Sequence, residues 1–88
     1  MKIELLNKQY EIKEISYKER RKIYQLNVKA FWDNKINPDL YYEALDKCFE
    51  LSGLSEKDLE SLSMPEIDQL LQKILSAYLG IEKKENGA

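Results

Sequence analysis

The chain has 88 residues, of which 43% are hydrophobic and 34% charged, and its net charge is −2. This length and apolar content predict one small folded domain and exclude a chain that is disordered throughout. The slight acidity argues against general nucleic-acid binding, and no apolar run approaches the length that spans a bilayer. With Cys48 as the single cysteine, no intramolecular disulfide is possible, which favours a reducing cytosol.

The first predicted element is a β-hairpin. Apolar residues alternate with charged ones on both sides of a turn at Asn7-Lys8: Ile3, Leu5, Tyr10 and Ile12. Asn tolerates positive φ, which suits a two-residue turn. In this register Ile3 faces Ile12, and Leu5 faces Tyr10. The ribbon is too short to be stable alone and is expected to lie on the helices.

The first long helix opens at a capping box formed by Ser16 and Glu19, and it is predicted to run to about Trp32. Its apolar residues cover more than half of the circumference: Tyr17, Ile23, Tyr24, Leu26, Val28, Ala30 and Phe31. A helix so widely apolar is either central to the fold or exposes one side to a partner.

Three further helix starts follow. Asn37 caps a helix that ends at Gly53, and Ser55 opens a helix of about two turns. Ser63 caps the last helix, which carries apolar residues at three- and four-residue spacing and stops at Gly80. The predicted fold is α+β and predominantly helical, with the hairpin packed on a small bundle of three to four helices. The domain is expected to span residues 1–81, followed by a flexible polar tail at 82–88.

Catalytic equipment is missing from the sequence. The absence of histidine removes the usual general base and most zinc sites, and the three glycines stand singly, so there is no phosphate-binding loop. Cys48 lies on the apolar stripe of its helix, which favours a buried, inert thiol over a nucleophile. We expect a protein that is not an enzyme and that needs no metal or cofactor.

An acidic cluster permits two interpretations. Glu56, Asp58 and Glu60 have the chemistry of a metal or acid–base site. Acidic residues also favour a helix N-terminus, and a solvated carboxylate needs no further role. The second interpretation is the favoured one.

Basic residues of the first helix form the one feature that resembles a phosphate-binding face: Lys18, Arg20, Arg21, Lys22 and Lys29. Glu19 interrupts the run, and Arg20 points toward the apolar side. A solvated helix face is therefore favoured, and a small nucleic-acid-binding regulator that uses the Lys18–Lys29 face is the alternative function.

Four aromatic residues are predicted to meet near the loop between the first two long helices: Phe31, Trp32, Tyr41 and Tyr42. Aromatic clusters are commonly part of a core. Trp32 and Tyr42, however, fall off the main apolar stripes, and such amphipathic side chains are favoured in protein interfaces.

An N-terminal hairpin leading into residues 15–21 (ISYKERR), then Phe31-Trp32, then residues 51–71 (LSGLSEKDLESLSMPEIDQLL), resembles the tail assembly chaperones of long-tailed bacteriophages. The resemblance covers most of the chain and consists of helix caps and leucine spacings. It implies a protein of the host cytoplasm that coats the tape measure protein, keeps it soluble, self-associates and recruits tail tube protein. It also implies a longer frameshifted form, for which Lys83-Lys84 near the C-terminus is a hint.

The residues themselves, rather than the resemblance, suggest a surface for the client. An amphipathic helix of the tape measure protein would lie against the first long helix and the aromatic loop. The expected anchors are Phe31, Trp32, Tyr41 and Tyr42. The expected orienting charges are Lys18, Arg21, Lys22 and Lys29.

Overall fold

The computed structural model describes residues 1–31 and 35–80, which form a two-stranded hairpin followed by helices. The elements are β1 (Lys2–Leu5), β2 (Lys8–Glu11), α1 (Tyr17–Ala30), α2 (Pro38–Ser52), α3 (Glu56–Leu59) and α4 (Met64–Leu79). This confirms the prediction of an α+β, predominantly helical fold. The predictions for Trp32, Ile81 and the tail at 82–88 lie outside the described residues.

The predicted helix starts are confirmed by their hydrogen bonds. Ser16 and Glu19 form the reciprocal box: the Ser16 hydroxyl accepts from the Glu19 N–H at 3.2 Å, and the Glu19 carboxylate accepts from the Ser16 N–H at 2.9 Å. Ser63 and Glu66 repeat this arrangement before α4. These bonds satisfy N–H groups that have no partner inside the helix.

Two predicted helix lengths differ from the structure. α1 ends at Ala30, two residues before the predicted end, and α3 is a single turn rather than two. At the start of α3 the Ser55 N–H and hydroxyl both donate to the Asp58 carboxylate, at 2.8 and 3.2 Å. The Asp58 N–H in turn donates to the Ser55 carbonyl at 3.0 Å.

The predicted hairpin turn was wrong by one residue. The turn is Leu6-Asn7, with φ of 53° and 65°, so Ile3 pairs with Tyr10 and Leu5 with Lys8. Positive φ at both central residues is the hairpin turn that matches the twist of the strands. Compared with the predicted register, each residue of β1 pairs with a residue two positions earlier in the chain. Because side chains alternate between the two faces of a strand, a shift of two positions leaves every side chain on its predicted face. The four apolar residues of the hairpin are therefore still buried together.

We expect Leu6→Asn to raise the free energy of unfolding by about 1 kcal/mol, because Leu at positive φ is strained and Asn tolerates it. The Leu6 side chain is 60% exposed, so little packing is lost. Urea denaturation measures the change. Leu6→Ala is the matched control, since it truncates the side chain but keeps the strain; an equal gain in both variants would contradict the explanation.

The core lies between the buried face of the hairpin and the three long helices. Its fully buried members include Ile12, Ile23, Leu45, Leu70, Ile74 and Tyr78. α2 packs against both α1 and α4, and α4 also contacts β1. The prediction of a buried Cys48 is confirmed, because its exposed fraction is 0%. The arrangement leaves the outer side of α1 uncovered by the described residues.

Two hydrogen bonds tie the hairpin to the bundle through Lys13. Its N–H donates to the Ser52 carbonyl at 2.9 Å, and its carbonyl accepts from the Tyr78 hydroxyl at 2.9 Å. The segment after β2 is thereby held at the end of α2 and against α4. Among the described helices, none combines the length and the apolar character needed to cross a bilayer.

Candidate protein-binding site

The aromatic residues near the α1–α2 connection meet as predicted, as far as they are described. The ring centroids of Phe31 and Tyr41 are 5.8 Å apart, and those of Tyr41 and Tyr42 are 5.7 Å apart. Both pairs meet edge to face, at 78° and 72°, which is a favourable geometry for aromatic rings. Trp32 lies outside the described residues. We call Phe31, Tyr41 and Tyr42 the aromatic cluster.

The aromatic cluster is part core and part surface. Tyr41 is half-buried against the core, whereas about half of the side chains of Phe31 and Tyr42 remain exposed. Phe31 and Tyr41 also line an open groove of about 320 Å³ between α1 and α4, where Leu75 and Leu79 supply further apolar surface. The cluster therefore offers apolar surface beside a depression.

Both tyrosines of the cluster stay protonated at neutral pH. The Tyr42 hydroxyl donates to the Asp68 carboxylate at 3.3 Å, and the negative charge of Asp68 raises the pKa of Tyr42. Burial, together with the same carboxylate, raises the pKa of Tyr41. The two side chains consequently contribute rings and neutral hydroxyls to this surface.

An apolar stripe on α1 extends the surface away from the cluster. It consists of Tyr17, Tyr24, Val28 and Phe31, with exposed fractions of 73, 56, 39 and 47%. At about 100° per residue these four positions fall within roughly 60° of one another on the helix. The buried Ile23 and Ala30 lie on a different side of α1. We call the four residues the α1 stripe.

Sequence reasoning did not select Tyr17, Tyr24 and Val28 as site residues. It grouped them with the whole apolar circumference of the helix. Their spacing of seven, four and three residues, ending at Phe31, was the available signal. Whether such a stripe is buried or exposed depends on the tertiary structure, and here it is exposed.

The predicted basic residues divide between two flanks of α1. Arg21 remains beside the α1 stripe, where its guanidinium lies 6.0 Å from the Tyr17 ring and donates to the Tyr17 hydroxyl at 3.4 Å. Lys22 and Lys29 instead line a groove between α1 and α2. Lys18 is exposed one turn before Lys22.

The lysines and the aromatic cluster are thus not one site. Lys29 and Phe31 are two residues apart, which places them about 160° apart around the helix. Each accordingly lines a different groove, Lys29 beside α2 and Phe31 beside α4. One client helix cannot contact both flanks at once.

Of the side chains that were considered for catalysis, Cys48 is buried in the core and Asp58 is part of a helix cap. Burial raises the pKa of the Cys48 thiol to about 12, so it is not a thiolate at neutral pH. The Ser55 N–H lowers the pKa of Asp58 by donating to its carboxylate, which is a helix-capping role. Within residues 1–31 and 35–80, Glu56, Asp58 and Glu60 do not converge as a metal site, and no other such group is found.

Comparison with known proteins gave no match: no family model, no curated protein and no solved structure is similar to this chain.

Proposed function

We propose that this chain is a non-enzymatic tail assembly chaperone of a long-tailed bacteriophage, which binds the tape measure protein and keeps it soluble in the host cytoplasm. The single observation that supports this most directly is the uncovered α1 stripe. Exposed apolar side chains that share one side of a helix, as Tyr24, Val28 and Phe31 do, are typical of a surface that receives a partner helix. The resemblance of residues 15–21 and 51–71 to these chaperones supplies the identity of the client.

The dimensions of the α1 stripe suit a helical client. Tyr17 and Phe31 are fourteen residues apart, which corresponds to about 21 Å along a helix. An amphipathic helix that lies along α1 would cover Tyr17, Tyr24 and Val28 of the α1 stripe. It would also cover Phe31, which belongs to both the stripe and the aromatic cluster. Tyrosine is favoured at such positions because it offers large contact area at little conformational cost.

The position of Arg21 adds a polar contact to this surface. Its guanidinium is already held beside Tyr17, so less side-chain freedom is lost when it meets a carboxylate of the client. Recruitment of tail tube protein, self-association and a longer frameshifted form belong to the same proposal through the resemblance alone.

The nucleic-acid alternative is less well supported. The groove that contains Lys22 and Lys29 also contains Glu43, Asp46 and Glu50, which would repel phosphates from the same place. A gel-shift series across salt concentrations tests this alternative directly. Binding to generic DNA at physiological salt would favour it over the chaperone.

Co-purification with the tape measure protein of the same phage tests the proposal. We expect the double variant Tyr24→Ala/Phe31→Ala to lower its affinity at least tenfold, since anchors of this type contribute about 2 kcal/mol when they are central to an interface. About half of each side chain is exposed and neither belongs to the fully buried core, so the variant should fold.

Met64→Ala is the matched control. Met64 is 70% exposed and belongs to α4, so it is an exposed apolar side chain that is not part of the α1 stripe. Tyr42→Ala and Trp32→Ala test two of the other predicted anchors in the same assay. Unchanged co-purification by a folded Tyr24→Ala/Phe31→Ala protein would remove the α1 stripe from the proposal, and no binding by the unaltered chain would reject the function.

A further inference from the structure

The groove between α1 and α2 has walls of opposite charge. Lys22 and Lys29 stand on the α1 wall, and the α2 wall carries Glu43, Asp46 and Glu50 together with one base, Lys47. Leu26 of α1 is half-buried between the walls and supplies apolar surface. The groove is open and measures about 450 Å³.

The two walls do not neutralise each other. Within residues 1–31 and 35–80, neither lysine of the α1 wall approaches a carboxylate within 4.0 Å, and Glu43 and Asp46 have no such cation either. The ion pair found here is Lys47–Glu50, at 3.4 Å, and both residues belong to α2. Glu50 is thus already paired on its own wall, and within the described residues the charges open to a partner between the walls are Lys22, Lys29, Glu43 and Asp46.

The spacing of the charges matches the repeat of packed helices. Lys22 and Lys29 are seven residues apart, and so are Glu43 and Glu50. Seven residues correspond to two helical turns, or about 10.5 Å along each wall. Helices that pack side by side carry their flanking charges at this interval, where the charges decide which partner fits.

We propose that this groove binds an amphipathic helix that has acidic residues along the flank facing α1 and basic residues along the flank facing α2. An apolar residue between the two flanks would lie over Leu26. The inference rests on the proposed function, since the helix belongs to the client. It adds a second site to the α1 stripe and specifies the charge pattern of the client segment that occupies it.

The charges of this chain argue against one of its own helices as the occupant. α1 contains a single acid, Glu19; α2 contains a single base, Lys47; and α4 contains a single base, Lys73. A helix that satisfies both walls needs a row of each sign at seven-residue spacing. None of these three helices has both rows, so no single helix of a second copy satisfies both walls, and the pattern favours a helix of a different chain.

Three synthetic helical peptides test the proposal by fluorescence anisotropy at low salt. They share one leucine and alanine stripe and differ in their flanks: glutamate on one and lysine on the other, glutamate on both, or lysine on both. We expect the mixed peptide to bind about tenfold more tightly than either uniform peptide, a difference of 1.4 kcal/mol. The preference should weaken as salt is added, because the charges are exposed.

The double variant Lys22→Glu/Lys29→Glu makes both walls acidic. It should transfer the preference to the peptide with lysine on both flanks. Lys2→Glu/Lys57→Glu is the matched control, because it makes the same change in net charge at exposed positions outside the groove. The control variant should keep the preference for the mixed peptide.

The proposal is overturned if the three peptides bind equally, or if the groove variant keeps the original preference. It is also overturned if the groove variant changes the sedimentation of the chain without changing peptide preference, which would assign the groove to a second copy. These readouts do not use the tape measure protein. A preference for the mixed peptide together with absent tape measure binding would uphold the groove while rejecting the proposed function.

Discussion

Replacing Ile74 with alanine is expected to lower the free energy of unfolding by about 2–5 kcal/mol. Ile74 lies on α4, is fully buried, and belongs to the core cluster that joins the hairpin to the helices. Removing its side chain loses the burial of those atoms and leaves a cavity that the surrounding helices fill incompletely. A domain of this size has a total stability of about 4–13 kcal/mol, so this one change is a large part of it.

Urea denaturation followed by circular dichroism measures the effect of Ile74→Ala. Gln69→Ala is the control, because Gln69 lies on the exposed side of the same helix. It should change stability by no more than about 0.5 kcal/mol. A similar small effect for Ile74→Ala would mean that α4 does not supply the centre of the core.

Stability is expected to fall steeply above pH 9. Burial raises the pKa of the Cys48 thiol to about 12, and burial first, with nearby acidic groups, raises the pKa of the Tyr78 hydroxyl to about 12. The ordinary values are 9.0 and 10.0. Below pH 9 both groups are protonated in the folded and the unfolded chain, so they add no pH dependence there.

Above the ordinary values, the unfolded chain releases protons that the folded chain retains. The unfolded state is then favoured increasingly, by up to about 1.4 kcal/mol per pH unit for each group. The loss of stability due to Cys48 begins at about pH 9, and the loss due to Tyr78 begins at about pH 10. Each loss is complete once the pH has risen through the pKa of about 12 that the group has in the folded chain. Urea denaturation at pH 8, 10 and 11 measures the decline.

Cys48→Ala separates the two contributions. It should remove the part of the decline that begins at pH 9 and leave most of the part that begins at pH 10, because burial is the main cause of the raised Tyr78 pKa and the charge of Cys48 is only the second. Tyr78→Phe should do the reverse, and it should also lose the hydrogen bond to the Lys13 carbonyl at every pH. An unaltered pH dependence in both variants would show that other groups cause the alkaline decline.

The sequence alone determined where the long helices begin and where α2 and α4 end. The caps at Ser16 and Ser63 and the glycine stop at Gly53 were all predicted and are all present. These features are local: a side chain three residues away satisfies the free N–H, and glycine adopts the positive φ that ends the helix. The hairpin faces were predicted for a similar reason, since alternation alone assigns each side chain to one side of a strand.

Only the tertiary structure decided how these elements use their surfaces. Two hairpin registers bury the same face, so alternation could not choose between them, and the structure places the turn at Leu6-Asn7 with Ile3 paired to Tyr10. The broad apolar circumference of α1 did not reveal which side is covered; contacts with α2 and α4 bury Ile23 and leave Tyr24 open. The separation of Lys29 from Phe31 into two grooves has the same origin, because long-range packing chooses the neighbours of a helix and its own sequence does not.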